Sequence, residues 1–264
     1  MSENLKELKL DNGTMQAVVR DGEVVRLVRD GHEYMHAPEE PGWSHSDTEM
    51  FPIIGPTAQT RYLVQVPKGN AIQDQHGLLR ELQYTVQAES DTQVLLVKEY
   101  AAGTPVPNSK YPDRSTARFL IWPYSFRFEK RVELLPDALL VSFRISGDRD
   151  MPYMLGYHPA FRITGPGARV QTCQDGVSLE EVMAAGDRAL EVPDCNTLVL
   201  EQDRPIRIRC RGFGHFMLWS PDPGMLCMEP VTFYPYTAGV NALHEGFSYL
   251  ADQAVEFQVE LRPE

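Results

Sequence analysis

The chain has 264 residues, 42% of them hydrophobic, with 20 prolines and 19 glycines. That is enough apolar material for a sizeable core and a bias toward turns over long helices. Its formal charge of -12, from 37 acidic and 25 basic residues, argues against nucleic acid, which needs a basic face, and against an anionic membrane surface.

The start of the chain, MSENLKELKL, is charged and has no apolar signal core. No run approaches the ~18 apolar residues that span a bilayer. Cys173, Cys195, Cys210 and Cys227 form no CxxC pair, so zinc and redox motifs have no support. The expectation is a soluble cytoplasmic protein with reduced thiols.

Taken in chain order, the turn pairs Asn12-Gly13, Asp21-Gly22 and Asp30-Gly31 come first. They supply positive φ cheaply and separate short apolar segments, which predicts a meander of strands. The clearest hairpin follows in FRFEKRVELLPDALLVSFRIS. There Phe126, Phe128, Val132 and Leu134 alternate with Arg127, Glu129, Arg131 and Glu133, and Lys130 breaks the apolar side. After the Pro136-Asp137 turn, Leu139, Val141, Phe143 and Ile145 alternate again, a period of two that predicts paired strands. A short helix is expected from Ser178 to Met183. Alternation returns at Ile206, Ile208 and Cys210, and at Val255, Phe257, Val259 and Leu261. With no repeat and no long linker, the expected architecture is all-β, a large antiparallel β-sandwich in one domain over residues 1–264.

Four short stretches stand out: Phe51-Pro52-Ile53-Ile54-Gly55, Gln75-His76-Gly77-Leu78-Leu79-Arg80, Gly156-Tyr157-His158-Pro159-Ala160-Phe161, and Cys227-Met228-Glu229-Pro230. A histidine in a buried strand costs desolvation unless it is paired or used. Glu229 lies among Leu226, Cys227, Met228 and Pro230, and such surroundings raise a carboxyl pKa toward neutrality, where general acid–base work prefers it. Pro159 fixes its own φ and holds His158 to extended geometry.

Together, in this order, the four motifs resemble those of the aldose 1-epimerases, or galactose mutarotase-like proteins, and most of all their shorter bacterial branch. The resemblance runs over nearly the whole chain. It implies the galactose mutarotase-like supersandwich, in agreement with the strand pattern, and interconversion of the α and β anomers of a free sugar. It implies Glu229 as general base, His158 as general acid, and His76 as a sugar ligand assisting at the ring oxygen, with Arg80 close to the pocket. Opening a cyclic hemiacetal removes a proton from the anomeric hydroxyl and adds one to the ring oxygen. One base and one acid on different sides of the C1–O5 region do both, with no metal and no cofactor. The implied partner is a small-molecule sugar, with no nucleic acid and no membrane, and the protein is expected as a monomer or weak homodimer.

Plainer roles stand beside these. His158 can be a satisfied core histidine, Glu229 a strand carboxylate paired with an arginine, His76 a turn residue, and Arg80 a solvated strand residue. Trp122, Trp219 and Phe161 are expected in the core more than on a sugar face. Two departures bear on the sugar. The arginine that commonly follows FPI-x-G in the shorter branch is here Pro56, with Arg61 as a candidate substitute among the substrate-binding residues. Val231 follows Glu229-Pro230 where the family often has an aromatic residue. A hexose-6-phosphate epimerase would need Arg61, Lys68, Arg80, Arg114 or Arg118 to converge on a phosphate. A sugar-binding protein without turnover would not need both Glu229 and His158. A glycoside hydrolase would need a second carboxylate.

Overall fold

The computed structural model describes residues 7–237 and 239–264, so the charged start of the chain, Met1–Lys6, lies outside the described residues. The meander forms as expected. A four-stranded sheet runs Glu7–Asp11, Met15–Arg20, Glu23–Arg29, His32–Glu33. Asp21-Gly22 and Asp30-Gly31 turn its second and third hairpins with both residues at positive φ, the geometry a two-residue hairpin favours.

The largest sheet has nine antiparallel strands. Its middle is the long hairpin Phe126–Leu134 with Leu139–Gly147, flanked by Gln93–Tyr100 on one side and Ala254–Pro263 on the other. The inward residues Phe126, Phe128, Val132, Leu139, Val141, Phe143 and Ile145 are buried, and the alternate positions are more exposed. A six-stranded sheet packs against that face. The Phe143 and Tyr157 rings meet across the interface at 5.2 Å, and Phe51 touches both Phe126 and Phe128. The result is a sandwich whose core is closed by aromatic and β-branched side chains.

The expected helix occupies Leu179–Ala184. Ser178 caps it, accepting from the Glu181 amide while the Glu181 side chain returns to the Ser178 amide. No helix among the described residues is long and apolar enough to cross a membrane.

The expectation of reduced thiols is corrected. Cys173, at the tip of the Arg169–Gln171/Gly176–Ser178 hairpin, is disulfide-bonded to Cys195 with their Cα atoms 5.6 Å apart. The two are 22 residues apart in sequence, a spacing with no motif, and the tertiary fold alone brings them together. Cys210 and Cys227 are free and buried.

Lys130, the break in the hairpin pattern, points inward with the apolar residues and is fully buried. Its Nζ donates to Asp47 Oδ1 at 2.7 Å and to the Gly22 carbonyl at 2.8 Å, and stands 2.8 Å from Glu49 Oε1. Tyr157 donates its hydroxyl to the other Asp47 oxygen. Burial opposes charge on Lys130, but the attraction of Asp47 and Glu49 overcomes it and holds the ammonium above its ordinary value. This cluster pins the Glu49–Met50 strand, an edge of the six-stranded sheet, to the middle of the nine-stranded one. The same Glu49 offers its carbonyl to Arg80 Nε at 3.1 Å. An ionic knot between the sheets thus helps to fix the Arg80 side chain.

Candidate active site

Along Met225–Val231 the side chains alternate between the sandwich core and the opposite face. Leu226 and Met228 join the main core. Met225 and Cys227 lie on the other side with Ala160, packed by Trp43 and Trp219. Glu229 shares this second face by the period of two. The adjacent segment is Gly156 to Arg162, in register Ala160 to Cys227. Tyr157 points into the core toward Asp47, so His158, the next residue, emerges on the Glu229 side. The His158 amide donates to the Thr48 carbonyl at 2.8 Å, and the Ala160 amide to Ser46 at 2.7 Å. Pro159 has no amide to satisfy at the step between them.

His158 and Glu229 meet as neighbours, with Nε2 and Oε1 3.3 Å apart. Neither Glu229 oxygen has an aligned hydrogen-bond partner, and His158 Nδ1 has none. Glu229 is 1% and His158 6% exposed. A purely structural carboxylate at this depth would be fully bonded. They line a cavity of about 340 Å³ with His76, Arg80, Gln75, Lys110, Trp43, Trp219 and Asp187, among others. Both imidazoles and the carboxyl therefore face one space. Acid and base were expected on different sides of the C1–O5 region of a sugar; here neighbouring strands bring the two side chains into contact.

His76 sits on a left-handed turn, with φ of 72° followed by 76° at Gly77. Backbone bonds from the Phe51 amide to the His76 carbonyl (3.0 Å) and from the Leu79 amide to the Phe51 carbonyl (3.1 Å) clamp this turn onto the FPIIG segment. His76 Nδ1 donates to the Ile54 carbonyl at 2.7 Å, which leaves Nε2 as an acceptor. A Cβ on Gly77 would stand 2.2 Å from the Phe51 carbonyl oxygen. Gly77→Ala is expected to cost at least about 2 kcal/mol through strain and this clash. Thermal unfolding checks it, and an unchanged melting temperature would contradict it.

The electrostatics follow from burial beside a cation. Burial pushes Glu229 up to about 8, with Arg80 opposing. Burial, then the Arg80 charge, holds His158 well below its ordinary value. His76 is lowered well below its usual value by burial, Arg80, His158 and Lys110. Arg80 itself falls to about 10 through burial, although Glu229 and Glu49 favour its charge. Burial thus favours the neutral form of both the Glu229 carboxyl and the His158 imidazole, which corresponds to one proton on the pair.

Four of the five anticipated residues, Glu229, His158, His76 and Arg80, line one cavity. Arg61 does not. It ends the turn Ala58–Thr60 in a left-handed conformation and lines a different cleft with Tyr62, Leu63, Arg118 and Phe119. Trp122 and Phe161 are fully buried core residues, as expected, while Trp219 lines the cavity. Pro56 also lines it, in the place of the absent arginine.

Trp43 is the main residue that the sequence reading missed. Its ring lies 4.2 Å from the His158 ring at 31°, and its carbonyl is held by the buried His36 through Nε2 at 2.8 Å. Gly42 makes this possible, since a Cβ there would come within 2.7 Å of Met225 Sδ. A lone tryptophan in the polar loop PGWSHS was the available signal.

The aldose 1-epimerase family model matches residues 62–209, more than half of the chain. A search of curated protein sequences gives no match. A galactose mutarotase-like protein from Lactobacillus casei superposes with a TM-score of 0.78 at 17% identity, over 98% of this chain and 100% of that one. A galactose mutarotase related enzyme from Lactobacillus acidophilus gives 0.78 at 15%, over 98% and 97%. A galactose mutarotase-like protein from Clostridium acetobutylicum gives 0.67 at 14%, over 98% and 95%. At these identities the superpositions speak for the fold, and the family match speaks for descent: the chain belongs to the aldose 1-epimerase family.

Proposed function

We propose that this protein interconverts the α and β anomers of a free, neutral aldose by acid–base opening and closure of the ring. The observation that carries this reading is the buried His158–Glu229 contact of 3.3 Å with unpartnered polar atoms on both groups. The two oxygens of a hemiacetal are bonded to one carbon. An adjacent acid and base can therefore serve both at once. Sugar hydroxyls entering the cavity replace its apolar surroundings and favour the charged form of the pair, with the shared proton on His158. Glu229 then takes the proton of the anomeric hydroxyl while His158 protonates the ring oxygen. The C1–C2 bond of the open aldehyde rotates, and closure on the other face returns both protons. His76 and Arg80 bind and orient the ring, and Trp43 holds the His158 imidazole in plane. The partner is a small sugar alone.

A phosphorylated hexose is the second reading. It is favoured by Arg80 and Lys110 on the wall that this cavity shares with a neighbouring one containing Arg114. Lys110 is already paired with Asp74 at 3.3 Å, and Asp187 faces the same space, so the neutral sugar is the better fit. Exchange NMR on the anomers of glucose, galactose and glucose 6-phosphate decides between them. Faster exchange of the free sugars is expected. Faster exchange of the phosphate alone would favour the second reading, and none for any sugar would overturn both.

The pH profile follows from one shared proton. The pair gains a second proton only well below the ordinary histidine range, which removes the base. It loses its single proton as pH rises through about 8, which removes the acid. kcat/KM is expected to be flat near neutrality and to fall about tenfold per unit on the alkaline side. A rate still rising at high pH would contradict this.

A further inference from the structure

Cys227 stands two residues before Glu229 and is fully buried beneath Trp43 and Trp219. The epimerisation chemistry has no use for a thiol there. Its Sγ, one ring nitrogen of His158 and one Glu229 oxygen lie within 4.8 Å of one another. The Glu229 carboxyl, 1% exposed, has no aligned hydrogen-bond partner on either oxygen and is directed into this group. We propose that these three side chains form a binding site for Zn²⁺, and that the bound ion blocks the sugar site.

The geometry suits the ion. Zinc holds nitrogen, oxygen and sulfur at about 2.0–2.3 Å, so tetrahedral ligand atoms stand about 3.5 Å apart. The His158–Glu229 pair, at 3.3 Å, already meets that spacing, and Sγ, within 4.8 Å of both, would move in by about 1 Å on binding. Thiolate, imidazole and carboxylate together select zinc or cobalt over magnesium or calcium, which want oxygen alone. One thiolate and one carboxylate neutralise a divalent ion, so the buried complex carries no net charge. Arg80 nearby works against the ion and limits its affinity. The fourth position faces the cavity and takes water. The ion would use the lone pairs of His158 and Glu229 on which ring opening depends, so it inhibits. That effect rests on the epimerase reading; the binding does not.

The test is a Co²⁺ titration of the metal-free, non-reduced protein, followed by Zn²⁺ inhibition of mutarotation. Wild type is expected to show a thiolate-to-cobalt charge-transfer band saturating at one ion per chain. The band persists in Cys210→Ser and is lost in Cys227→Ser. With each protein referred to its own zinc-free rate, Cys227→Ser should need at least tenfold more Zn²⁺ for half inhibition, reversed by a chelator. Absence of the band in wild type would overturn the proposal, as would equal zinc midpoints in wild type and Cys227→Ser. If neither Cys227→Ser nor Cys227→Ala folds, the wild-type band together with its persistence in Cys210→Ser decides the binding. If no sugar is turned over, the band still reports on the metal site, and the epimerase reading alone fails.

Discussion

On the proposed function, Glu229→Gln and His158→Ala are each expected to lower catalysed mutarotation by about 10²- to 10⁴-fold, the usual contribution of one acid–base partner. The double variant loses little more than the worse single one, because the two groups act as a unit. Stability moves the other way for Glu229→Gln. The folded carboxyl, pushed up from 4.5 to about 8, binds a proton that the unfolded chain has already released. Wild-type stability therefore falls as pH rises from about 4.5 to about 8. The shift corresponds to roughly 5 kcal/mol once complete. The glutamine variant does not titrate, so its melting temperature should exceed that of wild type by a margin that grows between pH 5 and 8. Polarimetry and thermal unfolding on one set of proteins check both halves. A variant both inactive and destabilised at pH 8 would mean that Glu229 is a structural carboxylate.

Lys130→Met lowers stability by about 3–5 kcal/mol, the cost of leaving buried partners of an ion pair uncompensated. Asp47 and Glu49, both buried, would face each other without the ammonium that holds them 2.7 and 2.8 Å away. For a chain of this size the melting temperature should drop on the order of 10 °C. Denaturant unfolding with an unchanged slope and a lower midpoint is the expected result. An equal or higher midpoint would mean that the cluster serves no structural purpose. The site should feel the loss too, because Glu49 positions Arg80 through its backbone carbonyl.

Lys130 also shows what a sequence pattern conveys and what it conceals. The alternation from Phe126 to Ile145 yields the central hairpin directly, since burial on one sheet face has a period of two. Read alone, a lysine on the buried side looks like a flaw in the pattern. Its partners Asp47 and Glu49 are more than eighty residues away, and only the sandwich brings them together. Three of the four motifs were legible because each carries a histidine or buried carboxylate with few structural uses in a strand or tight turn, and FPIIG was legible through its place in their order; residues from all four line one cavity: Ile54 and Gly55, His76 and Arg80, His158, and Glu229. Trp43 and Asp187 were not, because they reach the cavity from a loop and from the single short turn Gly186–Arg188, whose courses no periodicity dictates. Arg61 failed as a substitute for the arginine absent at Pro56. Its own backbone turns left-handed and carries the side chain to another cleft. The Cys173–Cys195 bond was likewise invisible without the sheet, in which Arg169–Gln171 pairs with Thr197–Glu201 and brings the two cysteines together.

The measurement that bears most directly on this account is the optical rotation of freshly dissolved α-D-galactose and α-D-glucose at neutral pH, followed with and without the protein. A faster first-order approach to the same final rotation is expected, with a rate proportional to protein concentration and lost in Glu229→Gln. A rate equal to that of buffer for both sugars, with the protein folded, would contradict it.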